Sequence, residues 1–276
     1  MQVVKFFQRK NILTNIKLES LKNSLDNFTP ITLKEMDNVK LMDRTDTKYV
    51  FISSQLPIFL EQLKNEYRIL DINGNRISRY ESLYFDTKEF DLYHSHQRGK
   101  KNRYKIRFRK YVESDLFYFE VKFKNNKGRT IKDRVKQKQI DESINGKAEI
   151  LLNEKTPMHS NSLEAKLWVN YSRITLVNKN SPERVTIDID LTFKNNDQDK
   201  TIHNMVIAEV KQEKTRVSSF IQLMRKYHIR DGSISKYCFG VISLFEKIKH
   251  NNFKPNLILL NKVLYTNSYY DTTTGS

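Results

Sequence analysis

The stretch RYKIRFRKYV occupies residues 103–112 and alternates basic with apolar side chains. Successive residues of a β-strand point to opposite faces, so the basic side chains are expected to share one face. That face comprises Arg103, Lys105, Arg107 and Arg109. The other face is aromatic and aliphatic, and it must be covered by further elements. The stretch therefore predicts a strand with one cationic face and one face in the core.

The next two segments repeat this division. Residues 116–124 (LFYFEVKFK) and residues 129–136 (RTIKDRVK) alternate in the same way. Their polar faces comprise Glu120, Lys122, Lys124, Lys132 and Arg134. The polar segment 125–128 ends in glycine, which is typical of a hairpin turn and makes the pairing antiparallel. Three neighbouring strands are therefore expected to stack positive charge on positive charge.

Such a cationic face admits two interpretations. An antiparallel sheet often has one solvated face, where lysine and arginine are ordinary solubilising residues. Like charges directly opposite each other across strands are destabilising, however, and arginines spaced by two suit forked contacts to phosphate oxygens. We therefore expect an anion to lie against this face, which would become a lumen if the sheet closes on itself.

The rest of the chain predicts an α+β fold in which helices cover the outside of an antiparallel sheet. Further strands are expected at residues 44–52, 80–86, 171–176, 184–191 and 205–211, and helices at 55–66, 141–153, 218–227 and after Ser235. Thr32 and Glu35 have the spacing of a helix capping box. We expect residues 1–29 to be an extension, 30–249 to be one domain, and 250–276 to be a flexible tail.

Charge and composition restrict the partners and the compartment. The chain of 276 residues has 49 Lys and Arg against 32 Asp and Glu, a net charge of +17. Such an excess favours polyanionic partners: nucleic acid, anionic membrane or polyphosphate. Cys238 is the only cysteine, which excludes an intramolecular disulfide and a cysteine-rich zinc site. No segment is apolar enough to span a bilayer, so a cytoplasmic location is expected.

Two late strands bring carboxylates into the polar face. One polar face carries Arg184, Thr186, Asp188 and Asp190, and the other carries Glu209 and Lys211. Carboxylates in a basic tunnel can hold Mg²⁺ or Mn²⁺, which prefer oxygen ligands and bridge to phosphates. Glu209 is the first candidate ligand, and the two aspartates have the alternative of pairing with lysine or arginine.

Other motifs carry less information. The segment DGSISKY at residues 231–237 precedes a helix, and it suits either phosphate binding or simple helix capping. His94 and His96 are spaced by two, and we interpret them as surface residues because no cysteine accompanies them. The sequence contains no GxxxxGK[ST], GxGxxG, HExxH or GxSxG motif.

Several short motifs together resemble a known family. They are MDRTDTKY at residues 42–49, SLYFD at 82–86, KIRFR at 105–109, FEVK at 119–122, YSR at 171–173, AEVK at 208–211 and SKY at 235–237. In this order they resemble the VTC domain, the polyphosphate polymerase branch of the triphosphate tunnel (CYTH-like) superfamily, in a stand-alone bacterial form. The similarity extends from about Pro30 to about Lys249.

The resemblance implies a closed antiparallel β-barrel in which ATP donates its γ-phosphoryl group to a growing polyphosphate chain, with Mn²⁺ or Mg²⁺ as cofactor. It implies catalytic roles for Arg107, Arg109, Lys122 and Arg173, substrate binding by Lys48, Lys132, Tyr171, Lys211, Ser235 and Lys236, and metal binding by Glu209. The partners would be ATP and inorganic polyphosphate, with no nucleic acid.

The chain departs from the family pattern at two places. Arg44 and Asp46 precede Lys48 where the superfamily's hydrolases and cyclases have Glu-x-Glu-x-Lys, and Ser233 stands where the eukaryotic polymerase has a lysine. The first departure argues against hydrolase and cyclase activity. The second is expected to change the binding of the nucleotide or the rate of the reaction. Three alternatives stay open: a triphosphatase in the same tunnel, a non-catalytic polyphosphate sensor, and a nucleic-acid-binding module.

Overall fold

A computed structural model describes residues 21–37, 45–213, 216–232 and 234–265 of the chain. An 11-stranded sheet is its central element. The strands are β1 (Thr29–Ile31), β2 (Thr45–Ile52), β3 (Tyr67–Leu70), β4 (Ser78–Asp86), β5 (Arg103–Tyr111), β6 (Leu116–Lys124), β7 (Thr130–Gln137), β8 (Glu164–Asn178), β9 (Glu183–Lys194), β10 (Asp199–Ile202) and β11 (Met205–Gln212). The predicted strands are confirmed, and β1, β3 and β10 were not predicted because they are short.

The main path of the sheet is antiparallel and runs β2-β11-β9-β8-β4-β5-β6-β7. Strand β10 pairs with β9, β3 pairs with β8, and β1 pairs with β3 in parallel. The predicted hairpin joins β6 to β7, where the amide of Gly128 donates to the carbonyl of Asn125 at 3.1 Å. Gly128 has a φ of +79°, a conformation that glycine adopts without a steric penalty.

The sheet curls so strongly that its two end strands face one space. Asp46 and Lys48 of β2 and Lys132 and Arg134 of β7 line the same cavity. A register shift between β8 and β9 contributes to the curvature, and next to it Asp190 has a φ of +53°. The predicted α+β class, with an antiparallel sheet around a cavity and helices outside, is confirmed.

Eight helices occur in the described part of the chain. They are α1 (residues 21–26), α2 (Leu33–Asp37), α3 (Leu56–Leu63), α4 (Asp91–Gln97), α5 (Gly146–Lys155), α6 (Ser219–Lys226), α7 (Lys236–Leu244) and α8 (Lys254–Tyr265). The predicted helices correspond to α3, α5, α6 and α7. The capping box is also present, because the Glu35 amide donates to the Thr32 hydroxyl and Glu35 accepts from the Thr32 amide.

The helices bury the apolar face of the sheet. Phe108 and Phe119, 1% and 0% exposed, pack in one cluster with Ala148 and Leu152 of α5. Helix α7 lies so close to β9 that a Cβ atom on Gly240 would come within 2.7 Å of the Phe193 ring. Fully burying one such aromatic side chain contributes about 1.5–3 kcal/mol, so these contacts fix the cationic face on the inside of the curl.

Both ends of the predicted domain carry ordered structure that was not expected. Leu21 and Leu25 of α1 are buried in the cluster that includes Phe59 of α3. Leu260 of α8 is 4% exposed and packs in the cluster around α7. The described part of the predicted tail is therefore a packed helix, and the helix before Pro30 belongs to the core. Residues 1–20 and 266–276 lie outside the described residues.

Candidate active site

One cavity of about 640 Å³ occupies the inside of the curl. Its basic lining residues are Lys48, Arg79, Lys105, Arg107, Arg109, Lys122, Lys132, Arg134, Arg173, Arg184, Lys211 and Lys236. Its acidic lining residues are Asp46, Glu113 and Glu209. All residues predicted for catalysis, substrate binding and metal binding line this cavity. The cationic face thus surrounds a concave space, and its cations are held close together.

Three lysines form a row across neighbouring strands, which we call the lysine row: Lys105, Lys122 and Lys132. Lys105 of β5 is directly opposite Lys122 of β6, and Lys122 is directly opposite Lys132 of β7. Burial is the main cause that lowers the pKa of Lys105 to about 7. Desolvation and the charge of Lys48 lower the pKa of Lys122 to about 8, although water reaches Lys122 through the cavity. The row therefore favours a bound anion.

Glu120 precedes Lys122 by two residues on β6 and contacts two cations of the cavity, Arg107 and Lys132. Its carboxylate accepts from Arg107 Nε and Nη2 at 2.8 and 2.6 Å and also forms an ion pair with Lys132. Arg107 Nη1 donates to the Tyr84 hydroxyl at 2.5 Å. Burial opposes ionisation of Glu120, but the charges of Arg107, Arg109 and Lys132 hold its pKa below the usual range. This carboxylate, 1% exposed, positions cations and does not face the cavity.

Arg109 is held by neutral partners. Its Nε donates to the Ser82 hydroxyl at 3.1 Å and its Nη2 to the Tyr171 hydroxyl at 3.0 Å. The guanidinium carbon lies 5.4 Å from the centroid of the Tyr80 ring. No carboxylate accepts a hydrogen bond from Arg109 within the described part of the chain, so its charge is available to a ligand while its orientation is fixed.

Asp188 joins two cations from distant parts of the chain. Arg173 of β8 contacts both carboxylate oxygens, at 2.6 and 2.8 Å, and Lys236 of α7 contacts one at 2.5 Å. Burial opposes ionisation, but the charges of Arg173 and Lys236 lower the pKa of Asp188 to about 2. The alternative that Asp188 pairs with lysine and arginine is therefore the one observed. Asp190 is exposed instead of sharing its face, because the bulge shifts the alternation.

Glu209 is the carboxylate best placed to meet a ligand. Its Oε1 lies 2.7 Å from Lys211 Nζ, and both side chains line the cavity. Although burial opposes ionisation, the charges of Lys211 and Lys48 hold the pKa of Glu209 well below its usual range. Asp46 also lines the cavity and lies opposite Lys211 in the β2–β11 pair. Two carboxylate side chains, Asp46 and Glu209, therefore lie near Lys211.

The donor set around Glu209 fits a hard divalent cation shared with a substrate. No group of three or more His, Cys, Asp or Glu side chains that could hold a metal occurs within the described residue ranges. Mg²⁺ is typically bound by one or two carboxylates while substrate phosphates and water supply the other ligands. Glu209, assisted by Asp46, has the chemistry for such a site.

The start of helix α7 forms part of the cavity wall. The Ser235 hydroxyl accepts from the Cys238 amide at 3.3 Å and from Lys105 Nζ at 2.9 Å. Lys48 Nζ donates to the carbonyl of Ile234 at 3.1 Å. The helix-capping interpretation of the DGSISKY segment is confirmed at Ser235, which also lines the cavity. Ser233 and Arg44 lie outside the described residues.

The Tyr237 side chain anchors this helix to the sheet. Its hydroxyl donates to Asp86 at 2.5 Å, and Asp86 also accepts from the amides of Leu92 and Tyr93 at 2.8 and 2.9 Å. The Tyr237 and Tyr84 rings stack with centroids 5.0 Å apart. The two motifs SLYFD and SKY therefore meet in space and position Lys236.

Sequence patterns missed some lining residues. The lining tyrosines are Tyr80, Tyr84, Tyr111, Tyr118, Tyr171 and Tyr237. Tyr171 was predicted for the site. The expectation that the aromatic residues of the basic strands lie opposite the cations holds for Phe108 and Phe119 and is wrong for Tyr111 of β5 and Tyr118 of β6. Their spacing could have shown this, since Tyr111 continues the alternation of Lys105 and Arg109. Lys105 was likewise left out of the predicted site.

The histidine interpretation also needs correction. His94 and His96 are half-buried in α4, and the His96 ring lies 6.0 Å from that of Phe253. Burial is the main cause that lowers the pKa of His96 to about 2. His96 packs between α4 and Phe253, and the His94 ring lies 5.2 Å from that of Tyr93, so neither is a surface residue.

A curled antiparallel sheet around a cationic cavity is the arrangement that the motifs predict, and the comparison with known families agrees. The profile of the VTC domain matches residues 43–245. The chain therefore belongs to the VTC domain family, as its motifs predict. No curated protein matches the chain. None of the helices in the described ranges is long and apolar enough to cross a membrane.

Solved structures with a similar fold include three proteins described as adenylate cyclase candidates. The Hippeastrum protein, reported with a dominant triphosphatase activity, is 12% identical, with 76% of this chain and 100% of that chain covered and a TM-score of 0.49. The Bacillus halodurans protein is 12% identical (74% and 100% covered, TM-score 0.45), and the Vibrio parahaemolyticus protein is 12% identical (72% and 99% covered, TM-score 0.43).

Proposed function

We propose that the protein is a polyphosphate polymerase that transfers the γ-phosphoryl group of ATP to a growing chain of inorganic polyphosphate. The observation that carries the proposal is the lysine row within a cavity that many other cations also line. Like charges placed directly opposite each other weaken a sheet, so their arrangement is explained by a polyanion that lies between them.

The proposed reaction requires no side-chain nucleophile. A terminal phosphate oxygen of the polyphosphate chain attacks the γ-phosphorus of ATP, a new P–O–P bond forms, and the bond from the γ-phosphorus to the β–γ bridging oxygen breaks. ADP leaves with that oxygen, and the chain is longer by one phosphate. Alignment and charge neutralisation supply most of the catalysis of phosphoryl transfer.

The cavity residues divide naturally between these two tasks. Arg107, Arg109, Lys122 and Arg173 would hold the transferring phosphoryl group, while Lys48, Lys132, Tyr171, Lys211, Ser235 and Lys236 would bind the flanking phosphates. Arg107 and Arg173 are oriented by buried carboxylates, and Arg109 by hydroxyl groups. Groups fixed before the substrate arrives lose little conformational freedom on binding, which favours the charged transition state.

Glu209 would hold a divalent cation, Mn²⁺ or Mg²⁺, with Asp46 nearby. When bound, such an ion neutralises negative charge on the nucleotide phosphates. The ion pair with Lys211 keeps Glu209 ionised and ready for this role, because the positive charge of Lys211 favours the carboxylate form.

The deciding experiment is incubation of the purified protein with ATP and Mn²⁺, followed by gel analysis of polymer length and measurement of ADP. The proposal expects long polymer with one ADP released per phosphate added. Release of inorganic phosphate without polymer would identify a triphosphatase and overturn the proposal. Tight binding of polyphosphate without any turnover would identify a sensor and would equally overturn it.

Variants at two cavity residues connect the activity to the site. Lys122→Met and Glu209→Gln are expected to reduce polymer formation by at least tenfold, because charge-assisted contacts contribute about 1.5–3 kcal/mol each. Lys88→Met and Glu213→Gln make the same changes at exposed positions outside the cavity and serve as matched controls. Charge reversal at Arg107 is unsuitable, since it would place a second carboxylate against buried Glu120.

A further inference from the structure

A group of cations lies outside the cavity, on the surface of the protein. Three segments contribute them: the loop that follows α4, the β6–β7 hairpin with the end of β6, and the connection from α7 into α8. We call this surface the basic end. Its ten cations, exposed or half-buried, are Arg98, Lys100, Lys101, Arg103, Lys124, Lys127, Arg129, Lys247, Lys249 and Lys254. None of them lines the cavity described above.

Contacts hold the three segments of the basic end together. Arg103 at the start of β5 is directly opposite Lys124 at the end of β6. The side-chain amide of Asn252 donates to the carbonyl of Gln97 at 3.1 Å, and the carbonyl of Lys249 accepts from a tyrosine hydroxyl of α4 at 3.0 Å. The loop after α4 therefore touches both of the other segments, and the three form one surface.

The basic end has no acidic side chains of its own. Residues 97–103, 122–132 and 247–254 contain neither Asp nor Glu. A solvated face normally mixes the two signs of charge, as helix α5 does with Lys147, Glu149, Glu154 and Lys155. Like charges directly opposite each other weaken a sheet, so Arg103 opposite Lys124 brings no structural benefit. This arrangement favours an anionic partner outside the protein.

Apolar side chains lie beside these cations on the outer face of the sheet. Tyr104, Phe123 and Ile131 are directly opposite one another on β5, β6 and β7, and we call them the outer apolar row. Ile131 is 46% exposed. The half-buried rings of Tyr104 and Phe123 stack on each other with centroids 4.6 Å apart. Peripheral binding to a bilayer combines buried apolar area with basic residues that attract anionic headgroups, and both are present here.

The form of the basic end distinguishes among polyanions. Proteins that bind single-stranded nucleic acid use a charged groove along the backbone and aromatic rings that are open to the bases. The cations of the basic end instead lie on a loop, a hairpin and a connection outside the cavity, and the Tyr104 and Phe123 rings stack on each other. Seven of the ten cations are lysines, which act as point charges without the fixed geometry of a forked contact. A planar array of anions fits this surface better than a linear chain.

From these observations we infer that the basic end docks the protein on an anionic phospholipid bilayer, with Ile131 of the outer apolar row in the headgroup region. Phosphate headgroups take the place of the acidic side chains that the surface lacks. The inference goes beyond the proposed function and does not depend on it, because no residue of the basic end is assigned a role in phosphoryl transfer.

The first test is sedimentation of the full chain with vesicles. Binding is expected to phosphatidylcholine vesicles that contain about 30% phosphatidylglycerol and not to phosphatidylcholine alone, because the attraction is electrostatic. Raising the salt from about 0.1 M to about 0.5 M should weaken binding by about tenfold or more, since the charges are screened over a shorter distance. Equal binding to both kinds of vesicle, or binding to neither, would overturn the inference.

Charge variants locate the contact on the surface. The double substitution Lys100→Gln and Lys127→Gln is expected to weaken vesicle binding about 25-fold, since each basic residue near an anionic bilayer contributes about fivefold. The double substitution Lys138→Gln and Lys147→Gln removes the same charge outside the basic end and should change affinity by less than about threefold. All four side chains are exposed, so neither change should disturb folding. Equal losses would show that only net charge matters and would refute the site.

A second pair of variants tests the outer apolar row. Ile131→Ser is expected to weaken vesicle binding by about fourfold or more, because each methylene that leaves water contributes about fourfold. Ile150→Ser makes the same change on α5, where the side chain is 60% exposed and lies outside the basic end, and it should have no effect. Equal behaviour of the two variants would refute the insertion of Ile131.

The same charge variants separate a bilayer from other polyanions. With Lys100→Gln and Lys127→Gln, the dissociation constant for tripolyphosphate should stay within about twofold of the wild-type value, because these residues lie outside the cavity. A loss of tripolyphosphate binding as large as the loss of vesicle binding would assign the cations to the ligand of the cavity and overturn the inference. A loss of binding to single-stranded or duplex DNA with unchanged vesicle binding would identify a nucleic-acid site and equally overturn it.

Discussion

Two walls of the cavity carry similar charge but hold it differently. On β5–β7 the lysine row places Lys105, Lys122 and Lys132 directly opposite one another. On the other side Arg173 and Lys236 share the buried carboxylate of Asp188, an arrangement that we call the aspartate-paired wall. In the aspartate-paired wall one carboxylate partly compensates two cations. In the lysine row Lys132 pairs with Glu120, whereas the charges of Lys105 and Lys122 are available to a ligand.

The contrast between the two walls shows how one cavity can be stable in the free protein and also bind anions. A buried ion pair fixes the orientation of its cation, and the carboxylate already compensates part of the charge of that cation. Lysines that face one another without a carboxylate partner, here Lys105 and Lys122, cost folding stability through mutual repulsion, and an anion that binds between them removes that repulsion. We therefore expect changes in the aspartate-paired wall to affect mainly stability, and changes in the lysine row to affect mainly ligand affinity.

The largest effect is expected for Asp188→Asn. Removal of this charge leaves Arg173 and Lys236 without their shared partner, and breaking a buried pair in this way typically costs about 3–5 kcal/mol. Urea denaturation should show the loss. Asp190→Asn removes an exposed carboxylate from the same strand and should change the free energy of unfolding by less than about 0.5 kcal/mol. An unchanged urea midpoint for Asp188→Asn would contradict the comparison.

The next largest effect is expected for Lys122→Met, which should raise the stability of the free protein and lower its affinity for tripolyphosphate. Lys122 has no hydrogen bond or ion pair with any residue in the described ranges, so Lys122→Met should stabilise the free protein by about 0.2–1 kcal/mol. The same variant should bind tripolyphosphate about 10- to 100-fold more weakly, because a charge-assisted contact is lost. Calorimetry and urea denaturation measure the two quantities, with Lys88→Met as control. Loss of both stability and affinity would show that Lys122 is structural.

A third prediction concerns Ser235, which connects the two walls through Lys105 and helix α7. Ser235→Ala removes the helix cap and the hydroxyl that holds Lys105, and it should cost about 1 kcal/mol of stability. Ser235→Thr keeps a capping hydroxyl and should retain most of the stability. If the alanine and threonine variants unfold at the same urea concentration, the cap makes no contribution.

The smallest effect is in the pH dependence, where the two walls should raise stability with pH in different pH ranges. Asp188 has a lowered folded-state pKa, so its contribution to stability is present above about pH 4 and is lost as the pH falls towards 2. Lys105 and Lys122 also have lowered pKa values, so the folded chain binds fewer protons than the unfolded chain between pH 7 and about pH 10.4. Their contribution to stability should therefore rise with pH in that window.

Ligand binding should reverse this proton balance. A bound polyphosphate favours the charged lysines, so binding of tripolyphosphate near pH 7.5 should take up a fraction of a proton, and its affinity should fall by a few-fold towards pH 9. Calorimetry in buffers with different ionisation enthalpies measures the uptake. Lys105→Met should reduce it, whereas proton release by the wild-type protein would exclude the lysine row as the binding surface.

Much of the candidate site followed from local alternation. The period-two pattern in residues 103–112 correctly placed Arg107 and Arg109 on the cationic face, because the direction of a strand side chain depends only on its position in the strand. The short hairpin likewise fixed the pairing of β6 with β7. The same logic would have placed Lys105 and Tyr111 in the site.

What the sequence by itself determined is that Arg107, Arg109 and Lys122 share the face of the sheet that lines the cavity. Which cation is paired was decided only by the tertiary structure, since Asp188 meets partners that are 15 and 48 residues away in the chain. The difference between the aspartate-paired wall and the lysine row has the same origin. Alternation is a property of one strand, but pairing and distance across the cavity depend on the register and curvature of the whole sheet.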